Sequence, residues 1–107
     1  MTIRYKNVKA IVTGTTTAQS ILTPANATTA VIKSIIACEQ SGNADTITLT
    51  ITAGSDVFSL FKVKAVSANT SIELLTAPLV LAESEILKAA ATTASRIHIV
   101  VSFMEIS

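Results

Sequence analysis

The chain's only imidazole is His98 and its only thiol is Cys38, so any nucleophilic, metal or acid–base chemistry must be built from these two and seven carboxylates. Nucleophilic catalysis needs a Ser or Cys beside a base that a third group orients, and no spacing in the sequence sets up His98 in that way. His98 alternates within an apolar run and reads as a sheet residue. Cys38 ends the apolar run Ile35-Ile36-Ala37-Cys38, where a free thiol behaves as a small buried hydrophobe. A single cysteine also leaves no intrachain disulfide. One His and one Cys do not make a zinc site without carboxylates. Asn43, Asp45 and Asp56 lie near expected turns and offer oxygen ligands to calcium, but their spacing matches no loop motif, and Asp and Asn are common turn formers. Glu83 and Glu85 would project to one face of a strand without the opposed carboxylate that glycoside hydrolysis uses. The expectation is a protein that is not an enzyme, with no catalytic residue, no metal ligand and no cofactor.

Ligand recognition finds little more. Phosphate cradles use glycine-rich loops leading into helices, and the three glycines, Gly14, Gly42 and Gly54, are isolated. Stacking on bases or sugars uses exposed aromatic rings. There is no Trp and one Tyr, and the three Phe residues, Phe58, Phe61 and Phe103, fall in apolar segments. A net charge of +1 gives no long-range field for nucleic acid. Arg4, Lys6 and Lys9 are the one local basic cluster, read as a solvated N-terminal arm. A spanning helix needs about 18 consecutive apolar residues; the best stretch, Ala30 to Cys38, is short and broken by Lys33 and Ser34. The N-terminal Met1-Thr2-Ile3-Arg4-Tyr5-Lys6 has no apolar region behind it, so it does not read as a secretory signal. Synthesis in a host cytoplasm is expected, with neither a nucleic acid nor a membrane as partner.

The elements that would carry any site are short strands. Thr46-Ile47-Thr48-Leu49-Thr50-Ile51-Thr52 alternates strictly, which is the period of a half-buried strand, with Ile47, Leu49 and Ile51 inward and the threonines outward. Val8–Thr13, Ala18–Thr23, Ala30–Glu39, Asp56–Lys64, Ser71–Leu75, Leu79–Ala82 and Ile97–Met104 are β-branched runs of similar length. Turn residues separate them, among them Pro24-Ala25-Asn26, Ser41-Gly42-Asn43 and Pro78, and Gly54-Ser55 reads as a tight hairpin. Helix formers crowd Ser84 to Ala91, yet no apolar stripe continues there for three turns, so a strand is kept ahead of a helix. The sum is an all-β chain, a two-sheet antiparallel β-sandwich of about eight short strands with jelly-roll-like topology, comprising an N-terminal arm over 1–7 and a single sandwich domain over 8–107.

Half of the residues are hydrophobic, 14% are charged and the mean hydropathy is +0.59, which is high for a small domain with much surface for its volume. Apolar surface left over after folding usually marks a contact with another protein. The C-terminal run supplies a candidate. Ile97, Ile99, Val101 and Phe103 form one face, and the opposite face, from His98 through Val100, Ser102 and Met104, is also half apolar. Such a strand is either central in a covered sheet or part of a subunit interface. Arg4 and Lys6 of the arm, with Val100, Ser102, Met104 and Ile106, are the candidate interface residues. The threonine row is a weaker third surface; ice-binding arrays would repeat it on stacked strands, and here it occurs once.

Three stretches carry a resemblance. They are Ile21-Leu22-Thr23-Pro24-Ala25-Asn26-Ala27-Thr28-Thr29-Ala30-Val31-Ile32-Lys33-Ser34-Ile35, Ala77-Pro78-Leu79-Val80-Leu81, and Ile99-Val100-Val101-Ser102-Phe103-Met104-Glu105-Ile106. In that order they resemble small β-sandwich structural proteins of tailed-bacteriophage particles, from Val8 onward. Glu83-Ser84-Glu85 departs from that pattern, where a glycine-containing turn is more typical. The resemblance implies a virion location, a homo-oligomer such as a trimer, and contact with the major capsid protein as decoration or cement, or with neck or tail proteins as an accessory. It implies no catalytic residues. A carbohydrate-binding jelly roll is the competing reading, which the scarcity of aromatic residues disfavours.

Overall fold

Period-two alternation runs through most of the chain, and a computed structural model describing residues 1–107 shows it as nine strands and no helix. They are β1 (Ile3–Ile11), β2 (Gln19–Leu22), β3 (Thr29–Glu39), β4 (Asp45–Ala53), β5 (Asp56–Val66), β6 (Ser71–Glu73), β7 (Leu79–Leu81), β8 (Glu85–Ala91) and β9 (Ile97–Ile106). The pairing is that of one long hairpin. Its tip is the two-residue turn Gly54–Ser55, where Gly54 has a φ of +64° that a residue with a side chain rarely adopts. Outward from the tip, β4 pairs with β5, β3 with β6 and β7, β2 with β8, and β1 with β9, all antiparallel. Rolling this ribbon so that β9 also lies along β3 and β8 along β4 produces two sheets, ordered β1-β9-β3-β6 with β7 beside β3, and β2-β8-β4-β5. With β6 and β7 taken as one interrupted strand, this is the strand order of a jelly roll.

The interruption accounts for nine strands where the sequence suggests about eight. Between β6 and β7 the chain dips inward at Leu74, which is buried and whose N–H donates to the Ile35 carbonyl at 2.8 Å. Pro78 then offers no N–H to a ladder.

The inner faces meet in a core of aliphatic residues, with Ile32, Ile35, Ile99 and Val101 from one sheet and Ile47, Leu49 and Leu87 from the other. β8 is a strand in spite of its helix formers because its alternation is intact: Leu87, Ala89 and Ala91 are buried while Ile86, Lys88 and Ala90 lie on the other face. Tertiary burial overrides local propensity here.

The arm expected over 1–7 is instead most of β1, paired residue by residue with β9 from Ile3 opposite Ile106 to Ile11 opposite His98. Thr2 and Ser107 extend the pairing with two backbone hydrogen bonds of 2.8 and 2.9 Å. β1 is an edge strand, and edges tolerate the Lys, Arg and Asn that make it look unlike one.

On the outer face of the second sheet the threonines of β4 point outward, as their alternation requires. Thr50 is nonetheless 7% exposed, flanked in register by Lys88 and Ser59. Its hydroxyl is buried with no hydrogen-bond partner, as is that of Thr52. A buried hydroxyl without a partner costs stability. Thr50→Val, nearly the same shape, is expected to stabilise the fold by about 1 kcal/mol in urea denaturation.

β5 is bulged twice, at the register shifts opposite Thr48 and between Leu49 and Thr50. At the first bulge Val63 has a φ of 54°, a strained conformation for a β-branched residue, and its N–H donates to the Thr48 hydroxyl at 3.0 Å. Bulges of this kind disturb a free edge that would otherwise template pairing with another chain.

Candidate functional site

Six of the seven acidic residues, all but Asp56, make hydrogen bonds or an ion pair within the fold. Glu39, at the end of β3, is fully buried and accepts from the Ser41 hydroxyl and N–H at 2.5 and 3.1 Å, the Gly42 N–H at 3.0 Å and the Asn69 N–H at 3.2 Å. One carboxylate thereby joins the loop after β3 to the loop after β5. Burial pushes its pKa up, but the Ser41 hydroxyl and the three backbone donors outweigh burial and hold it below the usual carboxylate value. Asp45 accepts from the N–H groups of Thr46 and Thr93 at 2.8 and 3.1 Å, fixing the loop before β9. Glu73 takes the Ser34 hydroxyl, the Ile35 N–H at 2.8 Å and the Leu75 N–H at 3.3 Å. Desolvation raises its pKa and these donors lower it by more, so it too titrates below the ordinary range. Glu83 holds the Ala27 N–H at 2.5 Å, Glu85 the Ala82 N–H at 2.7 Å, and Glu105 the Lys6 ammonium at 3.2 Å. Glu83 and Glu85 therefore serve two different loops, and Asp45 and Asp56 stand at opposite ends of the β4–β5 ribbon.

The structure brings one reactive pair together that the sequence did not suggest. Cys38 and His98 are direct cross-strand partners on β3 and β9, both half-buried. Neither side chain hydrogen-bonds to the other and no acid orients the imidazole, so the pair lacks the relay that activates a thiol. No three His, Cys, Asp or Glu side chains converge as a metal would require. A depression of about 420 Å³ on the second sheet is walled by Thr15, Thr16, Thr46, Thr48 and Thr92 beside Val63; it offers hydroxyls but neither charge nor ring.

The surface with a distinct character is the outer face of the first sheet, whose register places side chains in rows across the strands. One end has Ile3 and Ile106 in one row, then Tyr5, Met104, Val31 and Val80 in the next. A polar waist follows, made of Asn7, Ser102 and Ser34. The other end has Lys9, Val100, Ile36 and Glu73, then Ile11, His98, Cys38 and Ser71. Of ten exposed large hydrophobic residues, six lie here, namely Ile3, Tyr5, Ile11, Ile36, Val80 and Val100, and three of the others lie on β5. Apolar exposure is thus concentrated on one sheet face rather than scattered.

Four of the sequence-derived interface residues, Val100, Ser102, Met104 and Ile106, stand on this face along β9. Arg4 and Lys6 do not. They occupy the side of β1 that carries Val8 and Ala10 toward the core, and Lys6 is committed to Glu105. The β1 residues that do share the face are the odd-numbered ones, Ile3, Tyr5, Asn7, Lys9 and Ile11, and the even spacing of the three apolar ones was the available signal. Ile36 and Val80 carried no comparable signal.

Comparison of the chain with protein-family models, with curated proteins and with solved structures finds no match.

Proposed function

We propose that the protein is a non-catalytic structural component of a larger assembly, and that the assembly is a tailed-bacteriophage particle in which the chain acts as a capsid decoration or cement protein. The observation that carries the structural role is the apolar outer face of the first sheet, ordered on a jelly roll in which five of the seven carboxylates accept hydrogen bonds that hold loops or strand ends. A surface of this kind is suited to burial against protein. The choice of particle rests on the resemblance of the three sequence stretches to small virion β-sandwich proteins. Partners under this reading are further copies of the chain and the major capsid protein, and the location is the virion.

Quantitative mass spectrometry of purified particles tests it. Copies in fixed proportion to the major capsid protein are expected for decoration. A handful of copies per particle would move the chain to the neck or tail, and its absence from particles would overturn the reading.

A further inference from the structure

We infer that the outer face of the first sheet is a self-complementary dimer surface whose occupant is a second copy of this chain, related by a two-fold axis parallel to the strands and lying between β9 and β3. The inference rests on the reading above that this face is the protein's contact surface, and it names the partner.

The argument is the register. Lys9, Val100, Ile36 and Glu73 form one row across the sheet, a cation and an anion at the two edges with two apolar residues between them. Rotation by a half-turn about an axis along the strands reverses each row and leaves the order of rows unchanged. Lys9 then faces Glu73 of the second copy, and Val100 faces Ile36, with both contacts occurring twice, as an isologous interface demands. The same operation sets Tyr5 over Val80 and Met104 over Val31 in their row, and stacks the polar waist of Asn7, Ser102 and Ser34 on itself. A two-fold across the strands would instead bring the row of Lys9 against a different row, or against itself with Lys9 on Lys9 and Glu73 on Glu73, and in neither case does a charge meet its opposite. Sheets packed face to face align within about 30°, an offset that the four-carbon stem of Lys9 spans. Glu73 is anionic at neutral pH and its Ser34, Ile35 and Leu75 bonds fix it in place.

The size is adequate. Three strands of about ten residues, with the short β6 and β7 beside them, at about 4.8 Å spacing and about 3.3 Å per residue give a face of roughly 550 Å², hence roughly 1,100 Å² over two copies, just above the roughly 1,000 Å² that a specific interface needs. Val100 and Ile36, next to the axis, are 37% and 40% exposed in the single chain, so a second copy has apolar area to remove from water. Lys33, exposed on the bulge of β3 beside the waist, is the one charge that the axis sets near its own counterpart.

Sedimentation equilibrium of the full chain and its variants tests this. The wild type is expected to be a dimer at micromolar concentration. Val100→Asp should raise the dissociation constant by about 100-fold or more, whereas Val57→Asp on β5 should leave it unchanged. Lys9→Glu, an exposed edge substitution that keeps the fold, should raise it about tenfold, less so in high salt. Lys33→Ser should lower it about threefold. A monomeric or trimeric wild type, a dimer that survives Val100→Asp, or one broken by Val57→Asp would overturn the inference; an unchanged dimer in Lys9→Glu at low salt would overturn the axis. A dimer absent from phage particles would overturn only the proposed function, and a monomer found on particles only this inference.

Discussion

Glu39→Ala is expected to lower the melting temperature by about 10 °C or more, because four donors lose one buried acceptor together. The hydroxyl of Ser41 and the N–H groups of Ser41, Gly42 and Asn69 all end on this carboxylate. Alanine provides no acceptor at this buried position, and Ser41, Gly42 and Asn69, which are exposed residues, would have to turn to water. Hydrogen bonds to a charged acceptor contribute more than neutral ones, and here four are lost at once. The loops after β3 and after β5 would also lose their one shared side-chain tie, keeping only the backbone bond from the residue-39 N–H to the Thr70 carbonyl. Glu39→Gln keeps one carbonyl oxygen in place and should fall between alanine and the wild type. Differential scanning calorimetry at pH 7 ranks the three.

The same carboxylate sets a pH dependence whose sign is fixed. Glu39 and Glu73 both titrate in the folded chain below their ordinary value, which in an unfolded chain is about 4.3. A depressed folded pKa means that the unfolded chain binds protons first. The stabilisation is therefore complete above pH ~4.3 and is lost as the pH falls through the folded values. Melting temperatures should be flat from pH 7 to about 5 and then decline. In Glu39→Gln the decline should be shallower, from a lower plateau.

How much of this could be read from the sequence differs by element, for physical reasons. β4 was legible because one face is buried and the other is not, so composition alternates with the pleat, and the Gly54–Ser55 turn identified its hairpin with β5. The closure of the jelly roll was not legible. β1 meets β9 at the opposite end of the chain, and nothing local in Arg4-Tyr5-Lys6-Asn7 encodes that partner. The face of Ile36 was hidden by the bulge at Lys33. With strict alternation Ile36 would share the inward face of Ile32; one extra residue reverses the parity, so that Ile35, Ala37 and Glu39 turn inward and Ile36 outward. Glu39 gave no sign of its role, because its donors come from Ser41, Gly42 and the distant Asn69.

The candidate surface shows the same division. Its β9 half followed from alternation in a strand that is apolar on both faces. The alternation of β1 was also there to be read, but its place beside β9 came only with the pairing, and the β3 part depended on the bulge. The two sheets also differ in what they present. The second has half-covered threonines and Lys88 on β4 and β8 and exposes large hydrophobics only on its bulged edge strand β5, while the first exposes Tyr5, Val100, Ile36 and Val80 on four successive strands. Equal solvent contact on both sides of a sandwich would not maintain that asymmetry. Burial of the first sheet's outer face against protein would.

Leu49→Ala is the second large effect, with an expected loss of about 2–5 kcal/mol. Leu49 is fully buried in the middle of β4, between Ala89 of β8 and Phe61 of β5. Ala89 is too small to move into the space, and β8 is held to β4 by a ladder without a register shift, so the cavity would persist rather than collapse. Against a typical total of about 5–15 kcal/mol, that loss takes a large share of the stability. Urea denaturation should show a lower midpoint with an unchanged slope, since the surface exposed on unfolding hardly differs. The adjacent Thr50→Val is expected to move the midpoint the other way. Opposite signs at neighbouring positions are what a strand with one face in a dry core and one buried, unpaired hydroxyl on the other requires, and equal signs would contradict the assignment of faces in β4.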